Sequence, residues 1–92
     1  MLTRDGDRLK LDGPITVDNV RALHEQGGAQ LAELRVIDFA AVAEVDSSAV
    51  SLILEWQREA AQRNNHQLRF ENLPANLRSL ASLYGVAELI RQ

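Results

Sequence analysis

Asp46-Ser47-Ser48 brings a carboxylate and two hydroxyls together, directly after an apolar run and directly before a helical pattern. Asp and Ser are favoured at helix starts, because their side-chain oxygens accept hydrogen bonds from the free backbone N–H groups of the first turn. The same free N–H groups, with the positive end of the helix dipole, accommodate a phosphoryl group. The triplet therefore supports two readings, a helix cap and an anion or regulatory site in which a serine is phosphorylated. Hydrolytic chemistry has no support. No Gly-x-Ser-x-Gly elbow surrounds either serine. The two histidines, His24 and His66, fall in a polar helical stretch and a loop, and read as solvated surface residues rather than bases or ligands. The absence of cysteine removes a thiolate metal site and a cysteine nucleophile. No catalytic residue, metal or other cofactor is expected.

Several elements must position this corner. Leu34 to Phe39 is a nearly continuous apolar run and reads as a central strand covered on both faces. Ser47 to Arg63 reads as the helix that follows, stopped by Asn64-Asn65-His66. Before them, Asp5-Gly6-Asp7 is a turn signal, and Arg8 to Asp12 alternates polar and apolar like a half-exposed strand, so residues 1–12 suit a hairpin. Gly13-Pro14 punctuates the chain, and Thr16 caps a first helix from Val17 to about Gln30. Val20, Leu23, Gly27 and Leu31 form its apolar face. Gly27-Gly28 weakens that helix, at roughly 1 kcal/mol per Gly relative to Ala, which implies close packing or an early end. Gln67 to Glu71 alternates as a strand. Asn72-Leu73-Pro74 opens a third helix with a buried stripe of Leu77, Leu80, Ala81 and Tyr84, and Gly85 stops it. A short helix or turn over Val86–Ile90 ends the pattern.

Strands that alternate with helices imply right-handed crossovers onto one partly parallel sheet, an α/β fold in a single domain over residues 1–92. A net charge of −3 argues against nucleic acid as partner, since phosphate neutralisation needs a basic field. The first residues offer no apolar signal core, and no apolar run approaches the ~20 residues of a membrane span. A cytoplasmic location without direct membrane insertion is expected.

The second helix is apolar over an unusually wide arc. At ~100° per residue, Val50, Ile53, Leu54, Gln57 and Ala61 make a sheet-facing stripe, and Ser47, Ser51, Glu55, Arg58 and Gln62 a solvent face. Ala49, Leu52, Trp56 and Ala60 extend the apolar arc further. Two readings of this extension stay open and are compatible. Trp56 packs against the third helix, or Leu52 and Trp56 remain at the surface as part of a partner interface, a role that suits Trp.

The element order and this corner resemble the STAS domain, the family of sulfate transporters and anti-sigma-factor antagonists. The carrying residues are Val36-Ile37-Asp38-Phe39, Val42 and Val45-Asp46-Ser47-Ser48, with Asn72-Leu73-Pro74 and Leu80-Ala81-Ser82-Leu83-Tyr84-Gly85-Val86 matching the last helices. The resemblance spans Leu9 to Ile90 and implies a mostly parallel sheet of four to five strands with helices packed against it. It also implies a non-catalytic binding module. The spacing looks closer to the small STAS subunits of Mla-type phospholipid ABC transporters, which bind the transporter ATPase and support the complex. That branch implies peripheral attachment to the inner membrane through the partner. The partner-binding residues would be Asp46, Ser47, Ser48, Leu52 and Trp56, with Ser47 nearest the contact. The alternative branch is an anti-sigma factor antagonist phosphorylated by a partner kinase, which would make Ser48, or else Ser47, the phosphoacceptor. The sequence departs from the family pattern at Ala49, where glycine is usual and where a Cβ would crowd the corner.

Overall fold

The computed structural model describes residues 2–63 and 67–90. Chain order is β1 (Leu2–Asp5), β2 (Arg8–Asp12), α1 (Val20–Gly28), β3 (Val36–Ala41), α2 (Ser47–Arg63), β4 (Arg69–Glu71) and α3 (Ala75–Leu83). Single 3-10 turns at Leu31–Glu33 and Ala87–Leu89 follow α1 and α3. The strands lie in the order β1-β2-β3-β4. The β1–β2 hairpin is antiparallel, and β2–β3 and β3–β4 are parallel. This is the α/β architecture that the alternation of elements implies, with four strands.

Alternation along the strands separates two faces. Leu9, Leu11, Ile37, Phe39 and Phe70 are buried with the apolar residues of all three helices in one core. Asp38 and Glu71 point to the other face, together with Arg8, Lys10 and Arg69. Arg8 and Glu71 are partly exposed there, and Lys10 and Arg69 are exposed. The expectation of cover on both faces is therefore corrected. The helices form one layer, and the second face is a charged surface. Within the apparent run, Val36 and Asp38 face outward while Ile37 and Phe39 face inward, and Leu34 is buried ahead of the strand, after the 3-10 turn. Asp38 is the one charged residue buried among those described, at 6% exposure. Its carboxylate accepts hydrogen bonds from Asn72 Nδ2 (2.9 Å), the Ala40 N–H (2.9 Å) and Arg8 Nη2 (3.3 Å), and so ties β2, β3 and the turn after β4 together. Asn72 holds a left-handed φ of 59°, a conformation that Asn tolerates better than most residues.

The first helix begins later than the periodicity predicts. Thr16 N–H donates to Asn19 Oδ1 (2.9 Å), Asp18 N–H donates to the Thr16 hydroxyl (3.3 Å), and the N–H groups of Asn19 and Val20 share the Thr16 carbonyl. These local bonds compete with helix over residues 16–19. Helix α2 starts where expected, at Ser47, and continues to Arg63; its expected stop at 64–66 and His66 lie outside the described residues. The cap of α3 follows the expected pattern. Gly85 has φ 71°, its N–H bonds the Ser82 carbonyl, and the Val86 N–H bonds the Ala81 carbonyl.

The buried stripe of α2 is Ala49, Val50, Leu52, Ile53, Trp56 and Ala60. The sheet-facing assignment of Leu54, Gln57 and Ala61 is corrected, for Leu54 and Gln57 are only partly buried and Ala61 is exposed. The wide arc follows from three neighbours, since α2 packs on the sheet between α1 and α3. Trp56 is fully buried, against α1 rather than α3, and its Nε1 donates to the His24 carbonyl at 3.3 Å. Gly27 makes room for it, because a Cβ at Gly27 would lie 2.3 Å from the indole ring. Of the two outcomes implied by the Gly pair, close packing is the one observed. Gly27→Ala gains about 1 kcal/mol of helix propensity but forces a ring with no free direction to move, an overpacking cost of about 1–3 kcal/mol. We expect net destabilisation on urea unfolding, and a larger loss of about 3–5 kcal/mol for Trp56→Ala.

Candidate functional site

The carboxyl ends of the parallel strands bring two connections side by side. The chain after β2 and the chain after β3 run parallel at Ile15 and Val45. Ile15 N–H donates to the Glu44 carbonyl (2.8 Å), and Asp46 N–H returns to the Ile15 carbonyl (3.2 Å). Ligand sites of open α/β sheets characteristically lie at this end. Asp46 is the clasp. Its Oδ1 accepts the Ser48 N–H at 2.8 Å, which caps α2, and its Oδ2 accepts the Val17 N–H at 3.0 Å, which holds the loop before α1. The Val17 N–H first, and then the Ser48 N–H, hold its carboxyl below the usual carboxylate range.

Ser47 and Ser48 occupy the first turn of α2, with Ser47 exposed and Ser48 half-buried. Asp46, Ser47 and Ser48 thus stand together at the surface as the sequence predicts. Leu52 and Trp56 do not join them. They are 2% and 0% exposed, under α1, and this corrects their assignment to a surface. The apolar flank of the corner is instead a hollow of about 330 Å³ between α2 and the end of α3, lined by Ser47, Val50, Ser51, Leu54, Tyr84 and Val86. Tyr84 is 56% exposed, which corrects its place in the buried stripe of α3. Leu83, Leu89 and Val17 are also exposed. Sequence reasoning does not reach Tyr84 and Val86 as site residues, because Gly85 signals only a helix stop. Tyr84 is the C-cap of α3 and lines the hollow from that end. Ala49 is fully buried, so its Cβ enters the core and leaves the corner uncrowded, contrary to expectation.

The corner has no proton-transfer machinery among the described residues. Among the described residues neither serine is hydrogen-bonded to a histidine, and the Asp46 carboxylate is engaged by two backbone N–H groups. His24 lies on α1, half-exposed, with Nε2 at 2.7 Å from Glu59.

Residues 2–91 match the family model described as Mlab, STAS domain. The chain belongs to the STAS domain family. The fold of this STAS domain is similar to that of the anti-sigma factor antagonist SpoIIAA in its unphosphorylated form, with TM-score 0.67 and 18% identity over 90% of this chain and 81% of that one. It is likewise similar to the Bacillus cell fate determinant SpoIIAA in the phosphorylated form, with TM-score 0.69 and 18% identity over 98% and 86% of the two chains. Mglu contains a similar unit, with TM-score 0.60 and 24% identity over 82% of this chain but only 20% of that one. A search of curated proteins returned no match. Among the described residues, no helix is long and apolar enough to cross a membrane.

The two engaged carboxylates contribute to stability in a pH-dependent way. Burial alone would raise the Asp38 carboxyl, but the hydrogen bonds from Asn72, Ala40 and Arg8 outweigh it and the net shift is downward. Asp46 is also lowered. A carboxyl depressed in the folded state adds stability above the ordinary carboxylate pKa of about 4, and that stability is lost as pH falls through the folded value. The thermal midpoint should therefore hold near neutrality and fall below about pH 4. Asp38→Asn should flatten the acid slope and cost about 1–3 kcal/mol at neutral pH, because the new amide donors face Asn72 and Arg8.

Proposed function

We propose that this STAS domain is a non-catalytic subunit that binds and supports the ATPase of an ABC-type phospholipid transporter maintaining outer-membrane lipid asymmetry. The observation that carries this reading is the pairing of an exposed Ser47 at a clasped helix start with an apolar hollow lined by Val50, Leu54, Tyr84 and Val86. Polar anchoring beside an aromatic at a concave apolar surface suits a protein partner. The match to the Mlab family description supports the choice of transporter over other partners. In this reading the protein is cytoplasmic and reaches the inner membrane through the ATPase. Asp46 holds the corner rather than contacting the partner, Ser47 makes the contact, and Ser48 lies beside it. Leu52 and Trp56 act through the core, by fixing α1 against α2. Ser47→Glu and Tyr84→Asp change exposed side chains and should leave the fold intact. Each should lower affinity for the ATPase at least about tenfold, the scale of one interface anchor, and reduce ATP hydrolysis by the complex. Lys10→Ala on the open sheet face should change neither. Co-purification of both corner variants at wild-type yield, with full ATP hydrolysis, would sink this assignment.

A second reading has its own supporting observation. Ser47 and Ser48 stand at the start of a helix, where a phosphate meets backbone N–H groups, and the buried Ala49 leaves access to them open. The protein would then be an anti-sigma factor antagonist switched by a partner kinase, with Ser48 or Ser47 as phosphoacceptor. Incubation with the cognate kinase and ATP should add one phosphate by intact mass, abolished by Ser48→Ala or Ser47→Ala. An unchanged mass rules this reading out.

A further inference from the structure

Two turns along α2 from the corner, His24, Glu55 and Glu59 place one ligand atom each within 4.8 Å of one another. Glu55 and Glu59 are one helical turn apart and share a face, which His24 approaches from α1. We propose that these three residues form a divalent-cation site that clamps α1 to α2, with Zn²⁺ the ion that fits.

Three observations carry it. The first is the donor set, one imidazole and two carboxylates, which supplies three of the four ligands of a tetrahedral zinc site and leaves the fourth to water. The second is preorganisation. The Trp56 Nε1 bond to the His24 carbonyl and the Gly27–Trp56 contact fix the backbone of His24 against α2, so closure needs only side-chain motion. Bonds of about 2.0–2.2 Å imply ligand separations of roughly 3.3–3.5 Å, so the donors, all within 4.8 Å of one another, need draw together by at most about 1.5 Å. The third is room. A hollow of about 190 Å³ lined by Val20, Arg21, His24, Ser51, Leu52 and Glu55 adjoins two of the three side chains, His24 and Glu55. The Glu59 side chain is only 14% exposed, and its hydrogen-bond partner is His24.

Two contacts must yield to the ion. The His24–Glu59 hydrogen bond of 2.7 Å opens to admit it, and Glu55 releases Arg58, now at 2.5 Å. The second is an exposed ion pair three residues apart, of a kind that contributes little. Arg21 lines the same hollow and opposes the cation, so the three donors must outweigh one nearby positive charge. A cation also relieves the repulsion between Glu55 and Glu59 one turn apart. The pattern escapes sequence spacing because the histidine is far from the glutamates along the chain and meets them only through the α1–α2 packing.

The test is titration of the metal-stripped full chain with ZnCl2 by calorimetry, followed by thermal unfolding with and without zinc. One ion per chain is expected, with Tm rising by at least about 5 °C at roughly a hundredfold excess over Kd. Glu55→Gln and His24→Ala should each weaken binding at least about tenfold, with the zinc-free Tm near that of the parent for Glu55→Gln and lower for His24→Ala, which leaves Glu59 without its partner. His66→Ala should bind like the parent. Absence of saturable binding, or binding that survives Glu55→Gln, or binding lost in His66→Ala, would overturn the site.

Discussion

The packing of Trp56 onto the backbone of α1 at Gly27 is the constraint on which the rest of the structure depends. A fully buried indole has to be covered on every side, and in a two-layer domain the sheet covers only one of them. Helix α1 supplies a second by presenting a residue without a side chain, and the indole N–H is satisfied by a carbonyl of that same helix. The contact sets the spacing of the two helices. It draws Leu52 inward with Trp56, so both are buried on the α1 side of α2. The apolar surface left near the corner is then the opposite side, where Val50 and Leu54 meet Tyr84 and Val86.

The open sheet face follows from a different balance. A parallel sheet is ordinarily covered on both sides. Here the uncovered side has charges in place of a second helical layer, and Asp38 at its centre is shielded by Arg8 and Asn72 instead of by apolar groups. Three donors from three segments compensate its desolvation, which makes the carboxylate a tie between strands rather than an interruption. The row from Arg8 through Asp38 to Glu71 crosses β2, β3 and β4.

Elements and their order were legible in the sequence because each rests on local signals. Asp46-Ser47 marks a helix start, Gly85 a helix end, and Ile37 and Phe39 an inward strand face. The site triplet was legible for the same reason. What surrounds the triplet was not. The helical projection shows the width of the apolar arc on α2 but misplaces Leu54, Gln57 and Ala61 and cannot say which helix each side meets, because that depends on contacts between residues as distant as Gly27 and Trp56. The start of α1 was misplaced by three residues because a side-chain network among Thr16, Asn19 and Asp46 overrides periodicity. Tyr84 falls on the projected stripe of α3 but is its C-cap, and a projection does not show where a stripe runs past the core.

The clasp at Asp46 also constrains what the corner can do. Its carboxylate already takes the Ser48 N–H and is held ionised by that bond and by Val17. A phosphate on the neighbouring serine would share the helix N-terminus with this fixed negative charge. The two negative charges would repel each other, so each would offset part of what the helix dipole offers the other. A phosphorylated corner would therefore need a cation from a partner, or would loosen the Asp46 clasp on the loop before α1. A neutral Ser47 carries neither cost. The electrostatics of the corner thus locate where an added charge would act, at the Val17–Asp46–Ser48 junction that holds two connections of the sheet together.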